Sequence, residues 1–395
     1  MIMAMKKLNT RPRPHVALLV ETSLASGRDI LRGISRYVRE NASWSLYYEP
    51  RGLEESPPKW LRKWKGDGII ARIQNQSIAQ EVLASGIPTV DVLGVVRNAA
   101  FPLVHVNNAL IARMAAEHLI ERGFKNFGYF GIGGENWSER RREAFEQIIQ
   151  ASGGILRVYE PPRGGENPHS WEQTQDALAA WVARLPKPAG VMVCSDQRGP
   201  QFLEACRRAG VAVPDEVAVI GVDDDQPLCE VCNPPLSSIQ PGHDRVGYAA
   251  AGLLAQMMAG QLAPTQPLLV VPKGVTVRLS TDVYAIEDRT ISTALRWIRE
   301  NACGPIRVDA IARHAGLSRS VLQRRFRALL HRSVHQEILN ARLKRARELL
   351  AETNLSLGDI AEKTGFKHQE YMGAVFKKHL KKTPAQYRRA MSASL

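Results

Sequence analysis

Residues 306–330, IRVDAIARHAGLSRSVLQRRFRALL, and residues 355–380, LSLGDIAEKTGFKHQEYMGAVFKKHL, are two renderings of one pattern. Ile311-Ala312 answers Ile360-Ala361 and Gly316 answers Gly365, each 49 positions on, while Phe326 answers Phe376 at 50. The second copy therefore carries one extra residue after its glycine. Each copy reads as helix, tight turn, helix, with glycine at a left-handed turn position where a side chain would be strained. Ser318 is placed to cap the helix that follows the first turn. In that helix Leu322, Phe326 and Leu329 recur at helical spacing and predict an inward stripe. Arg319, Ser320, Gln323, Arg324 and Arg327 predict an outward one. These are the side chains that read base edges in a major groove, arginine on guanine and glutamine on adenine, and all of them can hold phosphate.

In the second copy the turn supplies Lys367 and His368, and the outward stripe is Gln369, Glu370, Gly373, Ala374 and Lys377. Gly373 and Ala374 have no side-chain donors, so this helix is expected to contribute backbone and shape contacts more than base contacts. Between the copies, VHQEILNARLKRARELLAET (334–353) places Ile338, Leu339, Leu343, Ala346, Leu349 and Leu350 on one helical face. Such a helix can hold two readers apart, at about 34 Å for adjacent openings of one DNA groove.

Charge follows the same division. The chain of 395 residues carries a net charge of +14. Residues 286–395 hold 22 Lys and Arg against 10 Asp and Glu, a net +12, and the rest of the chain holds only +2. A basic module behind a nearly neutral body points to a polyanionic partner, although a single outward arginine face is equally an ordinary solvated surface.

Upstream, apolar strand candidates alternate with helical stretches. The strands are 15–20, 45–50, 67–73, 88–93, 103–107, 126–132, 155–160, 190–196 and 217–224; the helices are 27–40, 77–85, 108–122, 138–151, 171–184 and 199–209. Continuous apolar strands alternating with helices mean parallel sheets covered on both faces. So many strands predict two doubly wound α/β lobes, followed by an all-α domain with two helix-turn-helix motifs. The division reads as a tail (1–14), a two-lobed sensing domain (15–280), a polar linker (281–290) and a helical domain (291–392).

Open parallel sheets bind ligands beyond the carboxyl ends of their strands. Polar residues at those places are Asp91, Asp196 and Asp223, with Glu21, Arg28 and Asp29 after the first strand and Arg141 in WSERRREAF. Carboxylates accept from vicinal hydroxyls and guanidinium donates to them, and Trp137 can cover an apolar sugar face. A strand-end aspartate is also a common helix cap, and aspartates in the run 223–225 are also ordinary loop residues.

Other chemistry is not encoded. No apolar run is long enough to span a membrane, and the N-terminus lacks an apolar signal core, so a cytoplasmic protein is expected. Five cysteines, an odd and sparse set, fit a reducing compartment. Cys229 and Cys232 form a lone CxxC without partners at zinc spacing, and no metal or cofactor is expected. Glycines at 131–134 and 164–165 lack a phosphate-loop lysine, and Ser237, His243 and Asp244 lack a nucleophile elbow, so no enzyme activity is expected.

The strings ARLKRARELL, IAEKTGF and FKKHLKKTPAQYR resemble the arabinose-regulator (AraC) family DNA-binding domain over about residues 290–390. Met372 stands where that family usually has an aromatic, and Gly373 lies on the groove side. LVHVNNALIARMAAEHLIERGFKNFGYFG (103–131), EVAVIGVDDDQ (216–226) and PPLSSIQPGHDRVGYAAAGLL (234–254) resemble the LacI-type effector domain, itself related to periplasmic sugar-binding proteins. Together these resemblances imply a sugar-responsive transcription activator with a pentose effector, xylose first. They also imply an effector held between the lobes, homodimerisation, and double-stranded operator DNA and RNA polymerase as partners. A repressor of the same architecture, a sugar-transport protein and a sugar-modifying enzyme with a regulatory tail are the competing readings.

Overall fold

The computed structural model describes residues 13–392 apart from 53–55, 97–99, 162–170, 284, 286–287, 331 and 354. Residues 1–12 of the expected tail, the glycine pair 164–165, and 284, 286 and 287 of the expected linker fall outside the described residues. The chain divides into two compact units, residues 1–283 and 284–395.

The first unit runs β1 (His15–Leu19), α1 (Ala25–Asn41), β2 (Ser45–Tyr48), β3 (Gly68–Ala71), α2 (Gln76–Ala84), β4 (Thr89–Asp91) and β5 (Val104–Val106). It continues through α3 (Asn108–Ile120), β6 (Asn126–Phe130), α4 (Asn136–Ala151), β7 (Ile155–Tyr159), α5 (Trp171–Arg184), β8 (Ala189–Val193), α6 (Gly199–Arg208) and β9 (Val217–Val222). It ends with α7 (Gln226–Val231), β10 (Ser237–Gln240), α8 (His243–Met258), β11 (Leu268–Val270) and β12 (Gly274–Thr276).

One sheet has the order β2-β1-β3-β4, and an isolated bridge between Asp91 and Leu103 carries it on to the pair β5-β11. The other has the order β12-β10-β9-β8-β6-β7, parallel except for β12 against β10. These are the two doubly wound lobes that the strand pattern predicts. Their central strands are buried along their whole length, β3 and β9 for example, which is why they read as unbroken apolar runs. The chain crosses between lobes around residue 107, at 240–243 and at 271–274, so neither lobe is one continuous stretch. The crossings are tied together by Asn107 N–H donating to the Val270 carbonyl (2.9 Å) and Lys273 N–H to that of Gln240 (2.8 Å).

Five elements of the first unit, α7, α8 and β10 to β12, are absent from the strand and helix candidates. The three-residue β11 and β12 are too short for a period to appear. In α8, Gly247 interrupts the apolar pattern because the helix lies so close to α1 that a Cβ there would strike the Ile30 carbonyl oxygen. The first unit also extends past the expected boundary: Ser280 and Thr281 are fully buried in it.

The second unit runs α9 (Arg289–Asn301), α10 (Val308–His314), α11 (Arg319–Leu330), α12 (Val334–Glu352), α13 (Leu357–Lys363), α14 (Gln369–Leu380) and α15 (Pro384–Ser392). Asp288 caps α9 by accepting from the Thr290 and Ile291 N–H groups, so that helix starts inside the expected linker. Two small cores form. One gathers Ile291, Leu295, Ile298, Ile311, Leu322, Phe326 and Ile338; the other gathers Leu343, Leu350, Ile360, Phe366, Met372 and Phe376. The connecting helix α12 is common to both, with Ile338 in the first and Leu343 onward in the second.

Candidate effector cleft and nucleic-acid interface

The carboxyl ends of the strands in the first unit carry polar side chains withdrawn from solvent. From the β1 lobe come Glu21, Arg72 and His105; from the other come Asn108, Arg141 and Asp196, all buried. Glu21 pairs with Arg72, whose Nη1 also donates to Ser26 Oγ (3.0 Å). Arg141 donates from Nε to Asn108 Oδ1 (2.9 Å) and from Nη1 to the Cys194 carbonyl, and its guanidinium lies 5.0 Å over the Trp137 ring. The Trp137 indole in turn donates to Glu135 (3.0 Å). His243, the first residue of α8, sets Nε2 3.2 Å from Asp223 Oδ1. Burial pushes His105 well below its ordinary value, and the neighbouring charges of His243, Arg141 and Arg72 push the same way, so its imidazole is neutral.

Several of these buried groups lack a partner within the protein: Glu21 Oε2, Arg72 Nε, Gln74 Oε1, His243 Nδ1 and both ring nitrogens of His105. A Val92 backbone group lies beside the His105 ring, but its geometry satisfies neither nitrogen. Buried polar groups are almost always hydrogen-bonded, so a set of orphans on the first lobe, facing Arg141 and Asp223 of the second, marks a place built for a polar ligand. Acceptors, guanidinium donors and a neutral imidazole together match hydroxyl groups, each a donor and an acceptor at once.

The strand-end candidates divide into two groups. Arg141, Trp137 and Asp223 come together with this set. Asp223 and Asp224 both hold positive φ, 115° and 50°, a conformation that costs a non-glycine residue about 1–3 kcal/mol and that persists where the surroundings enforce it. Arg278 (2.8 Å), Thr276 (2.8 Å) and Gln240 (2.9 Å) supply that enforcement by gripping the Asp224 carboxylate. The other candidates face elsewhere. The Asp91 carboxylate accepts from the N–H groups of Ile73 (3.3 Å), Leu93 (2.9 Å) and Gly94 (3.1 Å) and braces its own loop, while burial raises its pKa to about 6. Asp196 is spent on Ser238 Oγ (2.7 Å), the Asp225 N–H (2.9 Å) and the Cys229 thiol (3.3 Å); burial and the Asp223 charge raise its pKa far above the carboxylate range. Arg28 is exposed, donates to the Thr22 and Ser23 carbonyls (2.8 and 3.1 Å) and reaches Asp225 across the lobes at 3.6 Å. Asp29 pairs with Arg32 (3.2 Å), and burial raises its pKa. Cys229 and Cys232 belong to the apolar core of the second lobe. A separate cavity of about 380 Å³ beyond β1 and β2, lined by Glu49, Lys59 and Trp60 among others, shares no residue with this set.

Arg72, Gln74, His105 and His243 escape a reading that looks for aspartates at strand ends. The signal for Arg72 and His105 was a charged or titratable residue inside an apolar strand, DGIIARI and LVHVN, where burial leaves no solvent to satisfy it.

In the second unit the two copies close identically. Gly316 (φ 66°) and Gly365 (φ 74°) take the left-handed position, and the N–H groups of Leu317 and Phe366 return to the carbonyls of Ala312 and Ala361, both at 2.9 Å. Ser318 Oγ lies 3.4 Å from the Val321 N–H and 3.2 Å from Ser320 Oγ. On α11, Arg324 and Arg327 are exposed and have no ion pair among the described residues, Ser320 is exposed, and Gln323 is half-buried. Arg319 meets Asp309 at 3.4 Å, and Arg325 is drawn aside to Asp288 at 3.1 Å. Leu322 and Phe326 are fully buried, but Leu329 is 46% exposed, contrary to the expected stripe; Leu330, two turns beyond Leu322, takes the inward place. Around α14, Lys367, His368, Gln369, Ala374 and Lys377 are exposed, and a Cβ added at Gly373 would meet open space. Met372 is fully buried and fills the core position, while the neighbouring Tyr371 is 54% exposed on the outer surface.

Among known proteins, residues 15–109 match the model described as XylR N-terminal domain, residues 116–281 that of a periplasmic binding protein-like domain, and residues 311–390 that of a helix-turn-helix domain. The Xylose operon regulatory protein of Haemophilus influenzae is 30% identical over 94% of this chain and 97% of its own length. Its Escherichia coli K12 counterpart is 31% identical over 95% and 97%. A solved structure of the xylose-binding transcription activator xylR superposes with a TM-score of 0.81 at 29% identity, covering 96% of this chain and 98% of that one.

Proposed function

Because the chain belongs to the xylose operon regulatory protein family, we propose that it is a D-xylose-responsive transcription activator that works as a homodimer on double-stranded operator DNA and engages RNA polymerase there. The observation that carries the effector reading is the set of unpartnered buried atoms on Glu21, Arg72, Gln74, His105 and His243 of the first lobe, set beside Arg141 and Asp223 of the second. A pentose hydrogen-bonding to both lobes at once binds the closed sensor better than an open one. It can shift that equilibrium only by this difference in affinity. Arg141, held over Trp137, and Asp223 complete the polar lining.

Arg324 and Arg327 on α11 are the base-reading side chains in this proposal, with Gln323, Ser320 and Arg319 beside them. Lys367, His368, Gln369 and Lys377 hold the backbone from the second reader. The chain acts by binding, without catalysis.

Titration calorimetry of the full chain against D-xylose, L-arabinose, D-ribose and D-glucose tests the effector reading. D-xylose is expected to bind at micromolar to millimolar concentration, and His105→Ala to abolish the heat. No heat and no thermal stabilisation from any pentose removes the reading. A reporter fused to the protein's own target promoter then distinguishes the sign: expression rises with sugar for an activator and with deletion of the protein for a repressor.

A further inference from the structure

Besides the groups that face the interlobe space, a few side chains join one lobe to the other directly. Arg28 and Asp225 do so at 3.6 Å, but the arginine side chain is 44% exposed, and solvent-screened pairs contribute little. A second joint is better built. Asn136 opens α4 in the second lobe, and its Nδ2 donates to the carbonyls of Gly94 (2.7 Å) and Val95 (3.2 Å) in the loop after β4 of the first lobe. Two carbonyl acceptors use both amide hydrogens and fix which end of the amide is nitrogen.

The acceptor side is prepared in advance. The Asp91 carboxylate takes the Leu93 and Gly94 N–H groups, and Gly94 sits at φ 68°, so the loop holds its two outward carbonyls in place before Asn136 arrives. Asn136 also lies one residue from Trp137 and five from Arg141, on the same first turns of the helix that lines the cleft. A bond between residues of different lobes exists only while the lobes are together.

We propose that Asn136 is an interlobe latch, a positioning residue that sets the fraction of closed sensor and so scales the affinity for every effector by one factor without touching any of them. This rests on the reading of the cleft as the effector site. Apparent affinity is the intrinsic affinity multiplied by the competent fraction, so loss of the latch weakens all sugars alike. A residue that contacts the sugar would weaken them unequally, because different sugars present different hydroxyls.

The test compares wild type, Asn136→Ala and Asn136→Gln by calorimetry against D-xylose and each other pentose that binds. Asn136→Ala is expected to lower all affinities by the same factor, on the order of tenfold for two neutral hydrogen bonds, with selectivity ratios unchanged. Asn136→Gln keeps the donors and is expected to recover part of the loss. Unchanged affinities, or ratios that shift more than about threefold, overturn the latch. An independent arm measures the distance between spin labels on Leu83→Cys and Ile155→Cys, exposed sites on opposite lobes, in a Cys303→Ser background without sugar. Asn136→Ala should move the distribution to longer distances. If wild type takes no sugar the effector reading fails, yet this distance still decides the latch, and an unmoved distribution rejects it.

Discussion

Gly316 and Gly365 serve the same turn under different constraints. A Cβ at Gly316 would meet open space, so alanine there pays only the left-handed backbone strain, about 1 kcal/mol. A Cβ at Gly365 would lie 2.7 Å from the Cys303 carbonyl oxygen and 3.0 Å from Arg342 Nε, where Arg342 ties the two cores by donating to the Ala302 (2.7 Å) and Gly304 (3.1 Å) carbonyls. Gly365→Ala is therefore expected to cost at least about 1–2 kcal/mol more than Gly316→Ala in denaturant unfolding of the chain. Equal losses would mean that the contact relaxes freely.

His118 gives a second prediction at this scale. Burial, aided by Arg122, lowers its pKa to about 4 from 6.5, and its Nε2 lies 2.9 Å from Thr281 Oγ1. The fold favours the neutral ring, so this contribution is complete above pH 6.5 and disappears as pH falls toward 4; it is worth up to about 3 kcal/mol. Asp91, raised to about 6, works in the opposite sense and loses its contribution as pH rises from about 4 to 6. The difference in stability between wild type and His118→Gln isolates the histidine: it should shrink by that amount between pH 7 and pH 4, and a pH-independent difference would contradict the assignment. None of this was legible beforehand, because a titratable residue inside an amphipathic helix announces neither its burial nor its partner.

At the scale of elements, the repeat was the most legible feature, since glycine, Ile-Ala and Phe positions fix one helix–turn–helix on the other without any tertiary information. What it could not specify was the far end of α11, where the partner surface is narrow and Leu330 displaces Leu329 from the core. The reader assignment predicts that Arg324→Ala costs about 1–3 kcal/mol on the preferred duplex and relaxes specificity there, whereas Lys377→Ala weakens all duplexes alike. Gel-shift titrations on matched and scrambled sequences distinguish them; uniform weakening by Arg324→Ala would make it a phosphate contact. The short β11 and β12 lay below the reach of periodicity, and with them the fact that each lobe is assembled from separated stretches of chain.

At the scale of the molecule, a neutral sensing unit and a basic helical unit were both readable from charge and alternation. The candidate effector site was not, because its lining is contributed by strands far apart in sequence whose polar residues look like exceptions in apolar runs. Glu21, Arg72, His105 and His243 become a group only when the first lobe is folded, and meet Arg141 and Asp223 only where the second lobe faces it. In the proposed function the two units are joined by one event: sugar captured by the first alters DNA binding by the second. The most direct measurement is the affinity of the full chain for duplexes selected from a random pool, by fluorescence anisotropy at fixed salt, with and without saturating D-xylose. Enriched sites are expected to carry two elements about one helical turn apart, and the affinity to rise by roughly tenfold or more with D-xylose. Identical affinities with and without the sugar, in protein that calorimetry shows to be sugar-saturated, would contradict this coupling.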